Sequence, residues 1–76
     1  MITYLRLIKN VYRGNKGDIV IVREEFNQAN LNATYPSEVI SGYSQGWEIL
    51  IHGEDVEEIH SHEIMRLIDE GVLNLK

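Results

Sequence analysis

Hydrophobic and polar positions alternate most cleanly over residues 46–52, Gly-Trp-Glu-Ile-Leu-Ile-His, where Trp47, Ile49 and Ile51 share one parity and Glu48, Leu50 and His52 the other. Successive side chains of a strand point to opposite faces, so this pattern predicts a strand with one face in the core and the other mostly wet. Residues 18–23, Asp-Ile-Val-Ile-Val-Arg, form a β-branched run bounded by turn residues. Apolar on both parities, that run predicts a central strand covered on both faces. Residues 2–8 also read as a strand, but Tyr4 and Ile8 lie on one parity and Leu5 and Leu7 on the other, which leaves the buried face open. Residues 37–44 form a weaker strand in which Val39 and Tyr43 share a parity, and Gln45-Gly46 makes a tight turn into the Trp47 strand. These last two strands are expected to pair as an antiparallel hairpin.

Turn residues punctuate the pattern. Asn10 to Asp18 holds Gly14 and Gly17 with Asn and Asp, residues that supply the backbone angles turns require, and is expected to be a hairpin tip. From Glu24 to Pro36 the periodicity dissolves into Asn, Gln and Ala, for which a long loop ended by the proline is the simplest account, with a helical turn over Glu24 to Leu31 as the alternative. Residues 55–70 admit two readings. Asp55 and Glu58 can form a capping box at the start of one long helix. Alternatively residues 56–60 are a short closing strand and Ser61 caps a shorter helix with an Ile64, Leu67, Ile68 stripe. The second accounts better for Glu63, which one long helix would put inside its own apolar arc. Gly71 is a natural helix stop in both, with Val72, Leu73 and Leu75 packing as a tail. The expected core is Leu7, Ile19, Ile21, Val39, Trp47, Ile49, Ile51, Leu67 and Ile68.

Seventy-six residues make one domain, spanning 1–76, near the size at which folding buries only about 60–65% of the unfolded surface. A core of that size supplies no more than about 3–5 kcal/mol, so chains this short often add disulfides, a metal or a partner. Disulfides are excluded, because the chain has no cysteine, and this fits a reducing cytoplasm. Residues 1–9 lack the features of a secretion signal, and no apolar run approaches the length of a membrane-spanning helix. A soluble, unexported chain with no membrane role is therefore expected. Charge is uneven: up to Arg23, five cations face Asp18 alone, leaving +4, whereas the remainder sets eleven acids against Arg66 and Lys76, leaving −9. The sum is the formal −5. Such asymmetry can mark a binding face, but its simplest account is that basic strands lie beside the acidic part and offset it.

The order of strand, glycine-containing hairpin, strand, long loop, strand, turn, strand, short strand and helix resembles an SH3-like small barrel over residues 2–68. Tyr12-Arg13-Gly14-Asn15-Lys16-Gly17-Asp18-Ile19-Val20-Ile21-Val22 is also similar to the Lys-Gly loop and valine strand of KOW modules, which are SH3-like and contact RNA or proteins. Ile19 and Val20 stand where those modules carry a glycine. The Ala-Leu-Tyr-Asp-Tyr run of proline-rich-peptide-binding SH3 domains has no counterpart here, so peptide recognition of that type is not carried over. In general character the chain is similar to short proteins of bacterial prophages. Those resemblances imply a mainly β fold, an SH3-like small antiparallel barrel or curved sheet with a short C-terminal helix.

Candidate chemistry is sparse. His52, His60 and His62, with Glu63, are the only potential metal ligands at suggestive spacing, since His60 and His62 would point the same way from a strand. Exposed polar histidines are the simpler account, and no cofactor is expected. A nucleophile needs a base oriented by a third group, and Ser41, Ser44 and Ser61 sit in no nucleophile turn. Glu54, Asp55, Glu57 and Glu58 read as a solvated acidic edge, and residues 14–17 lack the spacing of a phosphate loop. The chain is therefore not expected to be an enzyme. Arg6, Lys9, Tyr12, Arg13, Lys16 and Arg23 form the one set with binding character: cations at a hairpin and neighbouring strands, with an aromatic beside them. Such a set can hold phosphates and stack bases, but a pI near 5.0 argues against a dedicated nucleic-acid binder. The expectation is a non-enzymatic module that contacts a protein partner or a second copy of itself, with Tyr4, Tyr12, Tyr35 and Tyr43 available as anchors.

Overall fold

The all-apolar run Ile19-Val20-Ile21-Val22 becomes the middle strand of the sheet and is buried at every position. The computed structural model describes residues 2–73. Its five antiparallel strands are β1 (Thr3–Leu7), β2 (Ile19–Val22), β3 (Thr34–Val39), β4 (Glu48–His52) and β5 (Val56–Glu58), in the sheet order β4-β3-β2-β1-β5. A 3-10 turn, Gly53–Asp55, carries the chain from β4 to β5, and helix α1 (Ser61–Asp69) follows. The sheet curls into a half-barrel, so the fold is mainly β, a curved antiparallel sheet with a short C-terminal helix, consistent with a small SH3-like barrel.

Curling gives the sheet an inside and an outside, and both are apolar at the centre. Leu5, Leu7, Val20, Val22, Tyr35, Val39, Ile49, Ile51 and Val56 fill the inside. Ile19, Ile59, Leu67 and Leu73 make a second cluster, flanked by Tyr4, Ile40, Ile64 and Ile68. Helix α1 thus covers the outer side of β2, and β1 resolves its open parity: Leu5 and Leu7 go inside, Tyr4 outside under the helix. Each fully buried side chain of this size contributes about 1.5–3 kcal/mol.

Residues 55–70 follow the strand-then-helix alternative. β5 pairs with β1, Leu5 opposite Glu58 and Leu7 opposite Val56, and the Ile59 N–H donates to the Tyr4 carbonyl. That pairing holds the chain extended to residue 59, so the cap is His60 rather than Ser61, which is the first helical residue. The helix stops as expected: Gly71 takes φ +78, Val72 N–H donates to Leu67 and Gly71 N–H to Ile68, the two bonds of a Schellman cap. Leu73 packs in the second cluster while Val72 is exposed, and the packing expected of Leu75 lies outside the described residues.

Four expectations are corrected. β3 runs Thr34–Val39 rather than over residues 37–44, and Pro36 sits inside it instead of ending the loop. Val39 N–H bonds toward β4 and Ile40 N–H toward β2, so ladder alternation places the missing Pro36 donor on the β2 side, opposite Arg23, one residue past the end of β2. The β3–β4 connection is a loop over residues 40–47 rather than a two-residue turn, which frees Tyr43 from any strand. Gly46, at φ +94, donates to the Val39 carbonyl while Val39 N–H donates to Trp47, a glycine bulge in which two residues oppose one. The extra residue lies on the loop side, so Trp47 keeps the register and stays opposite Val39, but it stands just before β4 at the open end of the half-barrel and is half exposed instead of occupying the core position expected for it.

Gly42 and Gly46 both have φ near +95, but a Cβ at Gly42 would collide with the Asp18 carboxylate, whereas nothing lies near one at Gly46. Gly46→Ala is expected to cost about 1–2 kcal/mol from backbone strain alone. Gly42→Ala should cost at least about 1 kcal/mol more, because the displaced carboxylate also loses the Asn15 N–H it accepts. Urea unfolding of the two variants measures the difference, and equal losses would rule out this contact as a constraint.

Candidate binding surface

The loop between β1 and β2 is built from its ends inward. Asp18 N–H donates to the Asn15 carbonyl, Asn15 N–H to the Asp18 carboxylate at 2.9 Å, and Gly17 N–H to Leu7. Beyond these, Val11 and Gly14 bond each other across a two-residue turn, Val11 N–H to Gly14 at 2.8 Å and the reverse at 3.1 Å. Gly14 is buried against Leu7, Val11 and Ile49, where a Cβ would crowd all three. The turn is thereby pinned to the core side of β4, and its two tip residues, Tyr12 and Arg13, are thrust outward. Arg13 takes φ +65, a conformation that costs a non-glycine residue about 1–2 kcal/mol.

The loop over residues 40–47 approaches from the other side. Gly42 lies against Asp18, and the buried Ser41 hydroxyl accepts the Ile19 N–H at 3.1 Å. This contact sets Tyr43 and Trp47 beside the 11–14 turn. The Arg13 guanidinium lies 4.2 Å from the Trp47 ring centroid and 5.2 Å from that of Tyr12, close enough for attraction to both ring faces. Open hollows flank it, one lined by Asn15, Tyr43, Ser44 and Trp47, the other by Tyr12, Glu48, Ile49 and Leu50. Tyr12 is 81% exposed, Tyr43 96%, Leu50 66% and Trp47 50%. Four large apolar side chains gathered at one end of a small domain form the kind of surface that marks an interaction site.

The remaining basic candidates do not join this surface. Arg6 binds Glu57 across the β1–β5 ladder at 3.2 Å and Glu63 on α1, tying helix to sheet. Lys9 reaches Glu54 at 3.3 Å and Asp55 at 3.1 Å, and Arg23 reaches Glu38 at 2.8 Å. Arg66 pairs with Glu70 at 3.8 Å along the helix. The basic N-terminal strands do lie beside the acidic C-terminal part, and the charges offset each other. Among the described basic side chains, only Arg13 and Lys16 have no carboxylate within ion-pair distance.

The histidines do not converge. His60 and His62 stack with ring centroids 6.1 Å apart, whereas His52 stands at the end of β4 with its Nδ1 3.5 Å from Asp55. Among the described residues no three histidine or carboxylate side chains are grouped to hold a metal ion. No helix of the described residues is long and apolar enough to cross a membrane.

Sequence reasoning found Tyr12 and Arg13, and Tyr43 among the available anchors, but assigned Trp47 to the core and Leu50 only to a wet face; Lys16, named with them, lines neither hollow. The signal for Trp47 was its place directly after the turn residues Gln45-Gly46, at the mouth of the strand and not in its middle. The signal that Tyr43 lies in a loop and not in the expected strand was its place in the run Ser-Gly-Tyr-Ser-Gln-Gly, richer in turn residues than in strand formers. Compared with family models, curated proteins and solved structures, the chain matches none.

The ion pairs imply a definite acid response. Burial pushes the Asp55 carboxyl up, but the His52 N–H at 2.9 Å and the Lys9 ammonium outweigh it and hold it below its ordinary value. The Glu63 carboxyl is held low chiefly by its hydrogen bond from Arg6. A carboxyl with a depressed folded value contributes stability that is complete above its unfolded value of about 4 and is lost as pH falls through the lower folded value. The melting midpoint is therefore expected to drop below about pH 4. Asp55→Asn and Glu63→Gln should each flatten that drop in melts from pH 6 to pH 3, and unchanged slopes would show that these pairs do not govern acid stability.

Proposed function

We propose that the chain is a non-enzymatic binding module that contacts a partner protein through Tyr12, Arg13, Tyr43 and Trp47. One observation carries this: two exposed aromatic rings, Tyr12 and Trp47, hold a guanidinium that has no carboxylate among the described residues, and a third, Tyr43, lines the hollow beside it. Tyrosine, tryptophan and arginine are the residues that most often dominate binding energy at interfaces, because they combine large apolar area with a polar tip. A ring that folding leaves almost wholly in water contributes little to the core, and Tyr43 is free to meet a partner. The cysteine-free sequence suits a reducing cytoplasm as the place of action.

Binding of single-stranded nucleic acid is the second reading, since the same rings could stack bases. It is disfavoured because Arg6, Lys9, Arg23 and Arg66 are engaged by acids, leaving two cations among the described residues, Arg13 and Lys16, to meet phosphates on a chain of net charge −5.

Affinity capture from the source cell, with Tyr43→Ser and Trp47→Ala beside the wild type, separates these. A protein retained by the wild type should be lost with either variant, each truncation weakening binding by about 30-fold or more (about 2 kcal/mol). Stability should move by no more than about 0.5 kcal/mol for Tyr43→Ser, as for other exposed positions. Salt-sensitive binding of oligothymidylate that disappears with Arg13→Ala would favour the second reading instead.

A further inference from the structure

The two ends of the sheet are not equally closed. At one end, β5 has three residues, two of them glutamates, and Glu57 is engaged by Arg6. A short charged edge of that kind resists pairing with another strand. At the other end stands β4, whose register with β3 sets Ser37 opposite Ile49 and Tyr35 opposite Ile51. Val39 N–H donates to Trp47, so the odd positions of β4 bond toward β3. Antiparallel alternation turns the N–H and C=O groups of Glu48, Leu50 and His52 outward. The Asp55 carboxylate takes the His52 N–H at 2.9 Å and closes that end. Glu48 and Leu50 remain unpaired on the edge among the described residues.

A groove runs along this open stretch, with Tyr12 and Arg13 on one wall and Glu48, Ile49 and Leu50 on the other. We propose that an extended, acid-bearing segment of a partner protein occupies this groove as an additional strand on the β4 edge. The inference rests on the protein-contact function and specifies its mode. Main-chain hydrogen bonds to Leu50 supply the docking, and alternation supplies the chemistry, since successive side chains of an added strand face opposite ways. One parity faces the 11–14 turn, where the Arg13 guanidinium has no carboxylate among the described residues and favours an acid. The other parity lies beside Leu50, which is 66% exposed and favours an apolar side chain. The aromatic pair Tyr12 and Trp47 holds the guanidinium in place for that acid.

The test is a strand-length peptide alternating valine and glutamate, titrated into the full chain while Trp47 fluorescence and the amide shifts are followed. Saturable binding is expected, with the largest shifts at Glu48, Leu50 and the 11–14 turn. Replacing the glutamates by lysines, methylating alternate peptide nitrogens, or the change Arg13→Ala should each weaken binding about ten-fold or more. Leu50→Pro should do the same: it removes the outward N–H without removing any bond within the sheet. If Leu50→Pro does not fold, the methylated peptide makes the same test from the ligand side. Binding that survives methylation and Leu50→Pro but is lost with Trp47→Ala would overturn strand addition while leaving the protein-contact function standing. No binding of the acidic peptide, tighter binding of oligothymidylate, or self-association through β4 in its place would overturn it as well.

Discussion

A strand of four consecutive buried apolar residues has to be covered from two sides, and most of this molecule follows from that demand on β2. A flat five-stranded sheet of 76 residues has too few residues left to build a separate layer over each face. Curling solves the inner side, because it turns Leu5, Leu7, Val39, Ile49 and Ile51 toward Val20 and Val22 and lets the sheet pack against itself. The outer side needs only Ile19 and its neighbours covered, and one nine-residue helix with a Schellman stop is long enough for that. Arg6 then fixes the helix laterally, reaching from β1 to Glu57 on β5 and to Glu63 on α1.

The same economy disposes of the charge. Pairing β1 with β5 brings a basic strand against an acidic one, and the 3-10 turn brings Glu54 and Asp55 to Lys9. Exposed pairs of this type contribute about 0–1 kcal/mol each, so their consequence lies less in stability than in what they remove from the surface. They take most of the positive charge out of circulation. What remains at Arg13 and Lys16 sits on the β1–β2 loop, Arg13 beside exposed rings, where a −5 chain would otherwise repel an acidic partner.

Much of the fold was legible in the residues because its signals are periodic. The β-branched run at residues 19–22 and the alternation Ile49, Leu50, Ile51 were sufficient to place a central strand and a one-sided strand, and both stand as expected. Glu63 discriminated correctly between one helix and a strand followed by a helix, because a carboxylate in an apolar arc is costly. The candidate surface was only half legible, for a physical reason. Trp47 obeys the parity of Ile49 and Ile51 in sequence and in the ladder, and parity cannot register that it falls at the last pair, where the half-barrel opens and no layer covers it. Pro36 misled in the opposite direction, since its missing donor is harmless at a place where the neighbouring strand has already ended. Both errors concern pairing between strands, which a single sequence does not encode position by position.

Why the exposed rings gather at one end, rather than scattering, comes back to two close approaches that only glycine permits. Gly14 lets the 11–14 turn settle on Leu7 and Ile49, and Gly42 lets the 40–47 loop settle on Asp18. With both loops seated, Arg13 is within cation–aromatic reach of Trp47 across a gap that neither loop could bridge alone. A site assembled from two loops is ordinarily imprecise, but here each loop is anchored by buried main-chain contacts a few residues from its tip. Asp55 contributes the last constraint: by occupying the His52 N–H it limits the open edge of β4 to the part nearest those rings. An edge that is closed at one end, and open only where side chains can choose what pairs with it, favours a selected ligand over indiscriminate strand pairing.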